Sequence, residues 1–368
     1  MTEMLESIIR PYRTSRSKAL RSIQVEASSN CFMKCAMCPR TALKHNWKSM
    51  NMPLKSFEKM SHNLADVRLV YLSGWGEPLL NKDLLEMVRL AKEKGASVGF
   101  TTNGMLLSPK TIRRLVELEL DILSISVAGA TAKTHETLRV GSNFQQLLVK
   151  ARTIRTVKNS LGSEKPKTLL LFLMTQQNLS ELPLAVDLAR ETGAEELVAT
   201  NLTYLAIPEH IGMKAYSCEG VDESFIIKIK EAEQRAKEAN LAFRSYPLEM
   251  KEELICEEDP LSSTYVSCDG YVSPCVYLNL PVKTIPRIFE EGRSYIPRTH
   301  FGNINETDLL EIWEREDYRS FRQRFERRVS IQEKHFEANI HELERVNRWT
   351  RTNPLPGVCE TCYKAYGV

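Results

Sequence analysis

Nowhere in this chain do roughly 18 consecutive apolar residues occur, so it lacks the run that a membrane-spanning helix requires. It also lacks a marked excess of charge: +3 over 368 residues is too little to favour nucleic acid as a partner. The N-terminal MTEMLESIIRPYRTSRSKALRS scatters charges where a signal peptide has an apolar core. It reads instead as a short helix and basic lead-in over 1–20. There is no internal repeat, no low-complexity tract, no Gly-rich phosphate loop and no separate cobalamin-type domain. These absences leave a cytoplasmic globular protein with no membrane partner, long enough for two domains. One basic run, RQRFERR at 322–328, interleaves acids and aromatics and reads as a solvated helix face.

Cysteine is missing between residues 39 and 217, although the chain holds nine. They gather at 31, 35 and 38, then at 218, 256, 268 and 275, then at 359 and 362. Thiols stay reduced in the cytosol, so grouped cysteines there bind metal or do redox work. The grouping points to two metal sites. The first, Cys31, Cys35 and Cys38 in CFMKCAMCPR, has the spacing C-x3-C-x2-C. Four-iron clusters normally take four thiolates. A trio holds three irons and leaves the fourth open to a substrate or cofactor. The trio alone also fits a Cys3His zinc site with His45.

From residue 21 to 201, short apolar runs alternate with amphipathic stretches. Strands are expected at 23–28, 68–73, 96–101, 122–127, 168–174 and 196–202. Helical patterns lie between them. One ends at Gly95, one opens with Ser108 as N-cap and Pro109 at its first position, and others lie near 143–159, 180–192 and 221–239. Apolar β-branched strands alternating with helices predict an α/β fold, a partial (β/α)6 TIM-like barrel. Active sites of such folds form at the C-terminal ends of the strands. The trio, SGWGEPLLN (73–81) and TTNG (101–104) follow strands one, two and three directly.

Those three segments together resemble the radical SAM superfamily over residues 21–240. The resemblance implies a [4Fe-4S] cluster on Cys31, Cys35 and Cys38, whose open iron is chelated by S-adenosyl-L-methionine (SAM). One electron then cleaves the sulfonium bond to a 5′-deoxyadenosyl radical. It further implies that Gly74, Trp75, Gly76 and Glu77 hold the SAM ammonium, and that Asn103 and Ser126 (with Ser124) contact ribose, carboxylate or substrate. Arg139 in THETLRVGS stands where a carboxylate-binding arginine could sit. Trp75 is a bulky addition between the glycines of the motif, and Met37 replaces the usual aromatic before the third cysteine.

In the C-terminal part, Cys256 and Cys275 give C-x13-G-x4-C around Gly270, and the chain closes on GVCETCYKAYGV. This layout resembles the SPASM or twitch extensions of radical SAM maturases and dehydrogenases. It implies a domain over 241–368 with an auxiliary [4Fe-4S] cluster on Cys256, Cys275, Cys359 and Cys362. DGYVSPC is expected to form a hairpin turning at Asp269-Gly270. With six residues after Cys362, the shorter, one-auxiliary-cluster form is expected. Zinc remains open for these four thiols. Cys218 and Cys268 are read as structural, and a helical insertion over 328–350 as packing on the barrel.

The expected function is hydrogen abstraction from a substrate, with the auxiliary cluster accepting an electron, in a peptide, protein or cofactor maturase. Two other outcomes stay open. One is oxidation of a sugar- or aminoglycoside-like alcohol. The other is maturation of a tungsten-cofactor oxidoreductase, whose maturases the stretch LDILSISVAGATAKTHETLRVGS resembles. A reductant such as flavodoxin or ferredoxin is implied. No general base is nominated: Tyr204, Glu209 and His210 near the mouth read as structural or surface groups. The non-enzymatic reading is a zinc-binding or nucleic-acid-binding protein.

Overall fold

The computed structural model describes residues 19–335 and 352–368. The N-terminal lead-in therefore falls almost wholly outside the described residues, as does most of the 328–350 insertion. Six strands stand where the apolar runs predict them: β1 (Ser22–Val25), β2 (Leu69–Tyr71), β3 (Ser97–Thr102), β4 (Ile122–Val127), β5 (Lys167–Met174) and β6 (Glu196–Asn201). All pair in parallel with their sequence neighbours.

Two further strands extend the expected six. A seventh, β7 (Ala242–Ser245), pairs in parallel with β6, and an eighth, β8 (Ser263–Val266), pairs in parallel with β1. The sheet thus continues across residue 240. Its order is β8-β1-β2-β3-β4-β5-β6-β7, extended beyond β8 by antiparallel β9 (Tyr271–Ser273) and then β12 (Gly302–Asn303). A separate hairpin joins β10 (Thr284–Phe289) to β11 (Gly292–Pro297). Among the described residues β7 and β8 do not pair, so the barrel is open, as expected.

Strand alternation sorts the side chains into two layers. On β4, Leu123, Ile125 and Val127 join the core beneath the helices. Ile122 turns inward to Leu69, Tyr71, Leu169 and Val198, while Ser124 and Ser126 line the interior cavity above them. The helices end as their sequences dictate. Ser108 accepts a hydrogen bond from the Thr111 backbone N–H at 3.0 Å, and Pro109 takes the first turn. Gly95 adopts φ +85°, which a β-carbon would resist.

The C-terminal region turns at Asp269-Gly270 between β8 and β9, with Gly270 at φ +86°. A helix over Glu316–His335 then packs on it. The RQRFERR run lies on this helix and only one of its faces is solvated: Gln323, Arg324 and Arg327 are exposed, whereas Arg322, Phe325 and Arg328 are buried. The two buried guanidiniums are tolerated because backbone carbonyls receive both and Glu252 pairs with Arg328 at 2.6 Å. Arg322 Nη1 donates to Trp313 O at 2.7 Å, and Arg328 donates to Leu254 O at 3.0 Å and Asn353 O at 2.6 Å.

Because β8 covers one edge of β1, deleting everything after Ser245 exposes that edge. The truncated chain is expected to aggregate in size-exclusion chromatography; a monodisperse species with a cooperative unfolding transition would contradict this role for β8.

Candidate active site

The cysteine trio occupies the loop leaving β1, and neighbouring segments fix that loop. Lys34 and Ala36 donate backbone hydrogen bonds to Val140 O at 2.8 Å and Leu138 O at 2.9 Å. His210 Nε2 meets Ala36 O at 3.2 Å while its Nδ1 faces the Ala206 N–H at 3.3 Å. Burial holds this imidazole below its ordinary pKa, so it serves as a neutral tie between the β6 loop and the cysteine loop. Burial pushes the Cys38 thiol up to about 11 and raises Cys31 as well. Such thiols keep their protons until a metal displaces them.

The GWGEP loop is laid against the same segment. Gly76 N–H donates to Ser28 O at 3.1 Å and Glu77 N–H to Asn30 O at 2.7 Å. A β-carbon on Gly76 would run into the carbonyls of Ser28 and Asn30, and one on Gly74 into the Glu26 side chain. The Glu77 carboxylate is buried and already accepts three protein donors: Thr102 Oγ1 at 2.7 Å, Asn103 N–H at 2.7 Å and Leu79 N–H at 3.2 Å. With about four acceptor positions on a carboxylate, one is left for a ligand. Glu77 therefore builds the TTNG turn first. Asn103 in that turn reaches Cys31 Sγ with Nδ2 at 3.8 Å.

A cavity of about 390 Å³ opens at this end of the barrel, within the size range of ligand pockets. Cys35, Cys38, Met37, Gly74, Trp75, Ser126 and Arg139 line it. Arg139 Nε is buried with no hydrogen-bond partner. A guanidinium nitrogen awaiting an acceptor at the cavity wall fits the carboxylate of SAM. His45 is exposed and stands outside this cavity.

The C-terminal region also lines this cavity, through Glu257, Glu258, Tyr277 and Lys364. Lys364 Nζ pairs with Glu257 at 2.7 Å and sits 4.5 Å over the Tyr246 ring. Burial pushes the Glu258 carboxyl up to about 7 against the pull of Lys364. Glu258, Tyr277 and Lys364 also border a second, smaller cavity lined by Cys256, Cys275, Cys359 and Cys362. Burial, then the neighbouring charges, raises Cys256, Cys275 and Cys359 well above an ordinary thiol. Among the described residues, no three His, Cys, Asp or Glu side chains converge on one point as ligands of a single ion would. The cysteines line cavity walls instead, a disposition that suits a cluster, in which each thiolate takes a different iron.

The spare cysteines separate clearly. Cys218 is exposed, with its Sγ 3.1 Å from Glu290 Oε1. Cys268 is buried away from both cavities, and its Sγ donates to Glu26 O at 3.1 Å.

Glu26 is the residue sequence reasoning missed. It continues β1 on the inward side, is buried, and accepts from Trp75 N–H at 2.9 Å and Cys268 N–H at 3.3 Å. It thereby clamps the GWGEP loop to the β8–β9 turn. A carboxylate two positions beyond the inward-facing Gln24 was the available signal. Glu257, Glu258, Tyr277 and Lys364 were missed for another reason: each lies within two positions of a cysteine, and the cysteines absorbed the reading.

Residues 25–189 match the radical SAM superfamily, and residues 256–363 match an iron–sulfur cluster-binding domain of the SPASM type. The chain belongs to the radical SAM superfamily and carries a C-terminal SPASM domain. The two matches bring SAM and [4Fe-4S] clusters as its cofactors. A tungsten-containing aldehyde ferredoxin oxidoreductase cofactor-modifying protein of Pyrococcus furiosus is 25% identical over 82% of this chain and 83% of that protein. An AdoMet-dependent heme synthase of Methanosarcina barkeri is 27% identical over 81% and 83%. In fold, the chain is similar to Streptococcus suis SuiB bound to S-adenosylmethionine, with a TM-score of 0.62 at 16% identity, over 87% of this chain and 72% of that one. Among the described residues no helix is long and apolar enough to cross a membrane.

Two substitutions probe this geometry. Glu26→Ala strands two backbone donors and should cost about 2–4 kcal/mol, with Glu26→Gln costing less; equal denaturation midpoints for Ala, Gln and parent would refute the clamp. Arg139→Leu should weaken SAM binding by about 10- to 100-fold in a calorimetric titration of the reconstituted protein. Unchanged affinity would remove Arg139 from the SAM site.

Proposed function

We propose that this radical SAM enzyme is a maturase acting on a peptide, protein or cofactor precursor held between the barrel and the C-terminal region. The observation that carries this reading is the shared cavity: Cys35 and Cys38 line it, and so do Glu258, Tyr277 and Lys364, which also border the second cysteine cavity. A substrate placed there lies between both cysteine sites. Cys31, Cys35 and Cys38 would hold the first cluster, and Cys256, Cys275, Cys359 and Cys362 the auxiliary one. When bound, the first cluster and SAM supply a 5′-deoxyadenosyl radical for hydrogen abstraction, and the auxiliary cluster supplies an electron acceptor.

The chain's own residues do the remaining work. Gly74, Trp75, Gly76, Asn103 and Ser126 shape the SAM-facing wall, Glu77 holds that wall in place, and Arg139 supplies a donor for the carboxylate. Leu169, Leu171, Leu173 and Val198 make the cavity floor apolar and exclude water from it. In this division of labour, residues 21–240 carry the radical chemistry and 241–368 the auxiliary site, with β7 and β8 stitching the two into one sheet. A flavodoxin or ferredoxin is the matching reductant.

Relatives support the maturase reading. The Pyrococcus protein is named for modifying a cofactor, and SuiB has been solved bound to a precursor peptide, SuiA. The 25% identity to the tungsten-enzyme relative over most of both chains favours a cofactor- or protein-maturing role over a sugar alcohol dehydrogenase.

Anaerobically reconstituted protein should hold about eight irons, and replacing Cys31, Cys35 and Cys38 together by Ala should leave about four and abolish 5′-deoxyadenosine formation. Zinc in place of iron, or 5′-deoxyadenosine from the triple variant, would overturn the assignment. Replacing Cys359 and Cys362 by Ala should spare SAM cleavage but remove the mass-shifted product seen with a cell extract; an unchanged product would show the auxiliary site to be dispensable.

A further inference from the structure

The smaller cavity holds a charge that the proposed function leaves unused. Arg287, on β10, is 3% exposed and lines this cavity with Cys256, Cys275, Cys359 and Cys362. Its fork bridges two cysteine-bearing segments. Nη1 donates to Val358 O at 2.7 Å, next to Cys359, and Nη2 donates to Tyr277 O at 3.0 Å, two residues past Cys275. Lys364, the other cation bordering the cavity, is neutralised by Glu257 at 2.7 Å. Glu258 also borders the cavity, on the side of Lys364. Among the described residues no carboxylate stands within ion-pair distance of Arg287. Two carbonyls satisfy part of its hydrogen bonding but none of its charge. A guanidinium buried without a counter-ion is expensive, and the expense falls away when negative charge arrives in the cavity.

We propose that Arg287 is the counter-cation of the auxiliary site and raises the reduction potential of the cluster held there. The proposal rests on reading the four cysteines as a cluster site. Four thiolates make a bound cluster anionic, and reduction adds one further negative charge. A fixed cation in a low-dielectric cavity stabilises the more negative state more strongly, so the potential moves upward. That direction suits an electron acceptor. Arg287 is a positioning residue in this account: it touches no substrate and acts through the cluster's field and through the two backbone segments it joins.

The test uses the full chain with Cys31, Cys35 and Cys38 replaced by Ala, so that only the auxiliary site takes iron. Redox titration followed by electron paramagnetic resonance (EPR) then compares this parent with Arg287→Lys and Arg287→Gln, each with its iron counted. The Gln variant should show a lower midpoint potential at equal iron content, with Lys, which keeps the charge, nearer the parent. An iron-replete Gln variant with the parent's potential overturns the proposal and leaves the cluster assignment standing. A parent without iron overturns the cluster assignment, and the proposal with it. If Arg287→Gln takes up no iron, the Lys variant decides: restored uptake shows that the charge is what the site needs, and equal failure shows that only the fork geometry matters, which overturns the proposal.

Discussion

The pairing of β1 with two partners at once is the constraint on which this structure depends. On one side β1 runs parallel to β2, as successive strand–helix units demand. On the other it runs parallel to β8, a strand about 240 residues away, in register from Ser22↔Ser263 to Val25↔Val266. The trio loop leaves the end of β1, and the hairpin leading to Cys275 leaves the end of β8. Side-by-side parallel strands deliver both loops to the same rim. Glu26 then locks the arrangement, since its carboxylate takes one backbone donor from the GWGEP loop and one from the β8–β9 turn. The β8 pairing thus helps bring Glu258 and Tyr277 to the same cavity as Cys35 and Cys38.

Most buried ionic groups around the two cavities are consumed by the protein itself. Glu77 is spent on Thr102, Asn103 and Leu79; Lys364 on Glu257; Glu26 on Trp75 and Cys268. Arg139 on the larger cavity keeps an unpartnered nitrogen and Arg287 on the smaller one an unneutralised charge, and the proposed function assigns these two to SAM and the auxiliary cluster. Aromatic rings join the two sides. Trp75 of the GWGEP loop packs against Tyr204 and Tyr277 with centroids 5.3 and 5.8 Å apart, and Trp75 Nε1 donates to Val276 O at 3.1 Å. The bulky residue between the motif's glycines is thus a bridge to the auxiliary region, not a disturbance of the loop.

Much of this was legible in the sequence because the signals were local. Strand β5 holds a continuous apolar run and β4 and β6 are rich in apolar residues, Ser108 and Gly95 mark helix ends, and the trio, GWGEP and TTNG each follow a strand. What escaped was non-local. β7 is four residues, AFRS, half-exposed and carrying an arginine, so no apolar run announced it. β8 is also four residues, and only its partner β1 makes it part of the barrel. Arg322 and Arg328 were read as solvated because charge is usually outside, yet carbonyls drew both inward. Glu77 was read as a ligand contact, and most of its carboxylate is committed to the fold.

The central claim is that two distinct iron–sulfur sites flank one cavity and that only the first binds SAM. EPR of the dithionite-reduced, reconstituted protein, recorded without and then with SAM, tests it most directly. The account predicts two overlapping cluster signals, of which one changes on adding SAM and the other keeps its g-values. A single signal, or two that both remain unchanged, would contradict it.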